Sequence, residues 1–279
     1  MIREYKLLIG GKSVDSSTGE TFDDINPATL ENLATLQVAG IEDVDRAVEA
    51  AEAGFRVWSE VPAPGRAEVL FRAARIMQER KEGLARLMTE EMGKVLPETR
   101  GDVQEAIDIT IYAAGEGRRM FGETTTSELR DKFCMTVLRP VGVVGMITPW
   151  NFPIAIPSWK IMPALIAGNA IVFKPASDTP LLTIKLVEIL MEAGLPPGVI
   201  NIVPGPGGSS GKAIVQHPRI SAISFTGSLE TGQWIMEECA KTMKRVSLEL
   251  GGKNPETVRD DADLGLALEG VLWGAFGRT

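Results

Sequence analysis

Between residues 42 and 120 apolar side chains recur three and four positions apart. Val44, Ala47, Val48, Ala51 and Phe55 fall on one face, as do Val69, Leu70, Ala73, Ala74 and Met77, and Leu84, Leu87, Met88 and Met92 repeat the spacing. This period predicts amphipathic packed helices, the last over residues 98–112. After Pro140 the pattern shortens. Apolar runs of strand length at 142–147, 170–173, 199–203, 222–225 and 246–250 alternate with helical segments near 154–166, 181–193, 209–216 and 228–243. Five strands alternating with four helices predict right-handed crossovers and an α/β fold: a doubly wound, mainly parallel, five-stranded Rossmann-like sheet. Ligands should gather at the carboxyl ends of its strands.

The flanking segments read differently. The first 40 residues carry short strands and turns, with Gly10-Gly11-Lys12 as a hairpin turn and Asn26-Pro27-Ala28-Thr29 as a loop. Residues 122–140, with Thr124-Thr125-Thr126-Ser127 and then Phe133-Cys134-Met135-Thr136, suit an extended hairpin, either a connector or a projecting arm. A last helix over 264–276 places Leu264, Leu268, Val271 and Leu272 where they expose apolar surface unless something covers them. The expected division is an N-terminal β/helical part to 121, the arm at 122–140, the sheet core at 141–250 and a short final segment from 251.

Composition removes several alternatives. Of 279 residues, 44% are hydrophobic, enough for a substantial core. Twenty-nine basic against 37 acidic residues give a net charge of −8, with no basic run to form an electrostatic footprint for nucleic acid or an anionic membrane. The N-terminus lacks a signal-like apolar stretch and no run approaches membrane-spanning length, so a cytoplasmic location is the expectation. Cys134 and Cys239 are too few for a disulfide framework. The single histidine, His217, reads as a helix-end residue, and no metal site is expected.

Candidate chemistry sits at strand ends. The dinucleotide fingerprint Gly-x-Gly-x-x-Gly is missing after the first strand of the core, where Thr148-Pro149-Trp150-Asn151-Phe152-Pro153 forms a Pro-bounded turn. Phe225-Thr226-Gly227-Ser228 supplies another strand-to-helix junction, with a glycine for close approach and a serine in N-cap position. Lys174 places a cation at a strand's carboxyl edge, and Glu249 places a carboxylate at another, followed by Gly251-Gly252. Taken alone, each has a plain structural reading: turn residue, cap or solvated charge.

Together, Pro149-Trp150-Asn151-Phe152-Pro153, Phe173-Lys174-Pro175, Phe225-Thr226-Gly227-Ser228 and Glu249-Leu250-Gly251-Gly252-Lys253 appear in an order that resembles the aldehyde dehydrogenase superfamily. The resemblance implies NAD(P)-dependent oxidation of an aldehyde to a carboxylic acid through a cysteine thiohemiacetal and thioester. It makes Asn151 the oxyanion donor and Glu249 the base that activates water. It assigns Ile147, Thr148, Pro149, Trp150, Lys174, Ser177, Gly207, Phe225, Thr226, Gly227, Ser228 and Thr231 to the cofactor, and Phe152 and Trp159 to an apolar substrate tunnel. Many NAD-preferring members hold a Glu where this chain has Ser177; a carboxylate there repels a 2'-phosphate, whereas Ser beside Lys174 tolerates it and can donate to it, so NADP acceptance is expected beside NAD.

The family's Gly-Gln-x-Cys nucleophile element follows within a few residues of the position where this sequence ends. The resemblance therefore implies that the chain alone is inactive, with 251–279 a stub of the catalytic domain. It further implies that the hairpin arm serves subunit assembly, in a homo-oligomer or with a complementing chain. Neither present cysteine suits the role: Cys239 lies on a helix beside Glu237 and Glu238, and Cys134 lies in the arm. The alternative is a noncatalytic nucleotide-binding module, or one half of a split enzyme whose partner chain brings the thiol.

Overall fold

The computed structural model describes residues 3–277. Its N-terminal part holds β1 (Arg3–Tyr5), β2 (Leu7–Ile9), β3 (Lys12–Val14), β4 (Thr21–Ile25) and β5 (Asn32–Gln37). Gly10 and Gly11 both have positive φ, 63° and 74°, the mirror-image two-residue turn that matches the twist of β2 and β3. The helical stripe becomes α1 (Ile41–Trp58), α2 (Ala63–Glu79), α3 (Lys81–Met92) and α4 (Leu96–Glu116). The fourth helix is longer at both ends than its apolar spacing predicted. The expected hairpin forms as β6 (Thr124–Thr126) and β7 (Phe133–Met135), paired only with each other.

The alternating half follows as β8 (Val143–Ile147), α5 (Ala155–Ile166), β9 (Ala170–Lys174), α6 (Leu181–Glu192), β10 (Ile200–Ile202), a π-helical turn (Gly207–Gly211), α7 (Lys212–Gln216), β11 (Ala222–Gly227), α8 (Leu229–Ala240), β12 (Arg245–Leu250) and α9 (Leu264–Phe276). The five strands are parallel and lie in the order β12-β11-β8-β9-β10. The sheet is wider than the five strands anticipated from sequence: β2 pairs antiparallel to β10 and β3 to β2, giving seven strands. Asn201, fully buried on β10, ties this extension down by accepting the Gly10 N–H at 2.8 Å and donating to the Gly198 carbonyl at 2.7 Å.

Burial on both faces explains the unbroken apolar strands. Along β9, Ala170 and Val172 pack among side chains of α1, α7 and α8, whereas Ile171 and Phe173 pack toward α2, α4, α5 and α6. Every residue of that strand is buried, as a central parallel strand requires. At the other end of the chain α9 buries none of its residues. Leu264, Leu268 and Trp273 are 74%, 60% and 62% exposed, in line with the apolar surface foreseen there.

Candidate functional site

The strand order creates the site. β8 and β11 are neighbours, yet they are first and fourth in the parallel series, so the crossovers after β8 and β9 use one face and those after β10 and β11 the other. At such a reversal the connections diverge and a crevice opens at the carboxyl ends.

On one face of this crevice, between the π-helical turn and α8, lies a cavity of about 350 Å³ lined by Ile147, Gly207, Phe225 and Thr231, with Gly208, Val215 and Trp234. Four of the residues assigned to a cofactor from sequence therefore meet in one place. The turn can be wide because Gly207 and Gly208 face open space. Gly227 is needed for a different reason: a side chain there would overlap the Phe225 ring that forms the cavity floor. Ser228 caps α8, its Oγ accepting from the Thr231 N–H at 3.3 Å and donating to Thr231 Oγ1 at 2.9 Å. The positive end of α8 thus points at the crevice, suited to an anion.

Lys174 ends β9 only 5% exposed, its Nζ donating to the Pro175 carbonyl at 2.8 Å. Among the described residues it has no ion-pair partner. Burial pushes its ammonium down to about 8, against the pull of Asp178. Ser177, foreseen as a donor to a 2'-phosphate, instead gives its hydroxyl proton to the Gly205 carbonyl at 3.2 Å, fixing the loop that leads into the π-helical turn.

The Pro-bounded turn after β8 is held from three directions. Lys94 Nζ donates to the Asn151 carbonyl at 3.0 Å, Thr179 to that of Trp150 at 3.4 Å and Thr183 to that of Pro153 at 3.1 Å. Thr148 is buried and its N–H meets the Lys174 carbonyl at 3.4 Å, while Trp150 is exposed. Asn151 Oδ1 is buried and accepts no hydrogen bond. Phe152 and Trp159, expected from the resemblance to line a substrate tunnel, sit with ring centroids 6.2 Å apart.

Sequence reading found no chemistry in the N-terminal helices, yet Lys94, on the connection between α3 and α4, is a central part of this arrangement. It is paired with Asp102 at 2.6 Å, both side chains at most 3% exposed, and lies 3.8 Å from the centroid of the Phe152 ring. The available signal was Gly93, whose positive φ of 82° ends α3 and turns the next residue inward. Lys160 was missed as well. Its Nζ donates to Ser224 Oγ at 3.1 Å; burial lowers its pKa while Glu249 raises it.

Lys160 and Glu249 belong to a second, larger cleft of about 740 Å³ on the opposite face of the sheet, with Trp159 and Thr226. Thr226 and Glu249 are direct cross-strand partners. Because side chains alternate along a strand, Phe225 and Thr226 serve different faces, so the residues assigned from sequence divide between two spaces that meet at the strand ends.

Neither cysteine is in either space. Cys239 is buried, and burial, more than the neighbouring Glu238, pushes its thiol up, so it is a structural thiol. Cys134 lies on β7 of the arm. His217 closes α7, its Nδ1 accepting from the Arg219 N–H and its Nε2 facing Asp45 at 3.1 Å. Among the described residues no three His, Cys, Asp or Glu side chains are grouped to hold a metal, and no helix is long and apolar enough to cross a membrane.

The arrangement can therefore take an elongated ligand with a flat apolar end in the Phe225 cavity and an anionic middle at the start of α8. Similarity to known proteins agrees with this geometry. The chain is 42% identical over 276 residues to α-ketoglutaric semialdehyde dehydrogenase of Bacillus subtilis, covering 99% of this chain and 57% of that protein. It is 42% identical over 271 residues to succinate-semialdehyde dehydrogenase [NADP(+)] of Escherichia coli, covering 97% and 56%. The NAD+ complex of an aldehyde dehydrogenase from Bacillus cereus superposes with a TM-score of 0.94 at 40% identity, over 98% of this chain and 56% of that one. The chain thus spans a little over half the length of these relatives. A profile of the aldehyde dehydrogenase family matches residues 13–279, and the chain belongs to that family.

Proposed function

We propose that residues 3–250 form the cofactor-binding portion of an NAD(P)-dependent aldehyde dehydrogenase, with the hairpin at 122–140 as an assembly arm and 251–279 as the start of a catalytic domain. The observation that carries this reading is the convergence of Ile147, Gly207, Phe225 and Thr231 on one cavity, with Asn151 and Glu249 at the flanking strand ends. The residues fit a dinucleotide: a glycine turn and an aromatic floor for its adenine, a capped helix start for its pyrophosphate, and Lys174, whose ammonium is in no ion pair among the described residues, for its ribose. When bound, the nicotinamide would accept hydride from the substrate carbon.

The chain's own groups act around that transfer. Asn151, its backbone held by Lys94, donates its side-chain amide to the oxyanion that forms when a thiol adds to the aldehyde. Glu249 takes a proton from the water that hydrolyses the resulting thioester, releasing the acid and the thiol. Since Cys239 is buried and Cys134 lies on the arm, the thiol is supplied from outside these 279 residues, by further polypeptide or by a partner chain. Phe152 and Trp159 form an apolar mouth, and the named relatives point to a semialdehyde as substrate. Ser177 leaves room for a 2'-phosphate, so NADP is accepted beside NAD. A noncatalytic nucleotide-binding module is the second reading, favoured by the open face of α9.

Calorimetry on the 279-residue chain should show NAD(P) binding without aldehyde-dependent reduction of the nucleotide. Addition of a polypeptide bearing the family's Gly-Gln-x-Cys element should restore turnover, and Asn151→Ala should then lower it on the order of 10²-fold. Turnover by the chain alone would defeat the mechanistic assignment.

A further inference from the structure

Lys212 is the first residue of α7 and the one charged side chain among those lining the Phe225 cavity. It is exposed; among the described residues its ammonium forms no hydrogen bond or ion pair, and it is the weakest of the charges acting on Glu238. Its chain neighbour Gly211 packs on the stem of Lys174: a Cβ at Gly211 would stand 3.4 Å from Lys174 Cδ and 3.9 Å from Ile147 Cδ1. One glycine therefore separates a buried lysine at the end of β9 from a free lysine at the start of α7. Ser177 closes the same corner through Gly205, just before the turn.

The carboxylates around this corner have other partners. Glu238 on α8 is held by Lys241 at 2.5 Å and by Gln216 at 2.9 Å. Asp45 on α1 faces His217 at 3.1 Å. Asp178 acts on the buried Lys174. Lys174 itself is occupied with the Pro175 carbonyl and its stem is enclosed. Lys212 has a flexible stem and an uncommitted ammonium beside the cavity.

We propose that Lys212 is a second cation for the adenosine end of the dinucleotide and biases the site toward the 2'-phosphorylated form. This rests on the reading of the cavity as a nucleotide site. NAD and NADP differ there by one phosphate, which carries nearly two negative charges at neutral pH. A compact point charge on a mobile stem meets such a group without requiring a fixed geometry. The dephosphorylated ribose offers it no anionic partner at that corner.

The test is titration calorimetry of the full chain and its Lys212→Ala and Lys212→Glu variants with NADP, NAD, 2',5'-ADP and 5'-AMP at two salt concentrations. The expected result for Lys212→Ala is a loss of about tenfold in affinity for NADP and 2',5'-ADP, the size of a charge-assisted hydrogen bond, with less than a twofold change for NAD and 5'-AMP. Lys212→Glu should widen the gap, and added salt should shrink the NADP advantage of the wild type more than that of Lys212→Ala. Equal weakening of both nucleotides in Lys212→Ala, or unchanged NADP affinity in both variants, overturns the assignment. So does a wild-type chain that binds NAD at least tenfold more tightly than NADP. A chain that binds none of the four ligands overturns the nucleotide site itself, whereas the preceding outcomes leave that site standing.

Discussion

Replacing Lys94 by Met tests how the turn after β8 is held. Lys94 and Asp102 are paired at 2.6 Å with side chains 1% and 3% exposed, so removing the cation takes a short ion pair from a buried carboxylate. Loss of one partner of such a pair costs about 3 to 5 kcal/mol, because the remaining charge keeps its desolvation penalty and loses its ion pair. The contact with the Phe152 ring at 3.8 Å contributes a further amount of about 1 kcal/mol. The double variant Lys94→Met/Asp102→Leu removes both charges and should recover most of this stability, since buried pairs are worth little against apolar residues of similar volume. Urea denaturation followed by tryptophan fluorescence measures all three changes, and the double-mutant cycle isolates the coupling. What the double variant should not recover is the hydrogen bond to the Asn151 carbonyl. In the complemented enzyme it should therefore fold and bind nucleotide while turning over more slowly. A cost below 1 kcal/mol for Lys94→Met, or a double variant no more stable than the single one, would refute this account.

Three further outcomes are expected. Gly227→Ala should displace the Phe225 ring and weaken nucleotide binding by about 1 to 3 kcal/mol with an unchanged far-UV spectrum; unaltered affinity would show that the ring is not the floor of the site. Ser177→Glu should lower NADP affinity at least tenfold and spare NAD, read by calorimetry; a uniform loss would indicate damage to the loop instead. Asp24 is buried and faces the buried carboxyl of Glu91; burial is the main cause that raises its pKa to about 7, with Glu91 opposing and Asp178 adding to the rise. A carboxyl raised in the folded state stabilises fully below the unfolded value near 4, and that contribution is lost as pH climbs toward 7. Asp24→Asn should flatten this slope and make the protein more stable than wild type at pH 8; a less stable variant at pH 8 would contradict the assigned direction.

The parallel core was legible because its strands and helices carry different periods, and each of the five apolar runs became a strand. Pairing partners carry no such local mark. The Gly10-Gly11 turn announced the hairpin of β2 and β3, but nothing in residues 7–14 says that their partner is Ile202. The segment read as a helix from Ser209 begins instead as a π-helical turn at Gly207, and that widening helps to shape the cavity. Of the residues singled out on motifs, Ile147, Gly207, Phe225 and Thr231 line one cavity, and Gly227 abuts the Phe225 ring. Lys94 and Lys160 were not found, because they sit among ordinary helical spacing and gain their significance only when Lys94 reaches the turn after β8 and Lys160 reaches Ser224 on β11. The direction of the Ser177 hydroxyl depends on the Gly205 carbonyl, which sequence spacing cannot supply.

The pairing of Leu8 with Ile202 joins residues 194 positions apart, so the sheet cannot acquire that edge until most of the chain exists. At ribosomal speeds of about 5 to 20 residues per second, the first hairpin waits roughly 10 to 40 s for its partner. During that interval α1 lacks β8, β9 and β10, the strands it covers in the finished molecule. Non-local pairing of this kind also slows folding after release. The wait is thus a period of chaperone dependence for the early helices during synthesis, ending when residue 202 clears the exit tunnel and β2 can pair with β10.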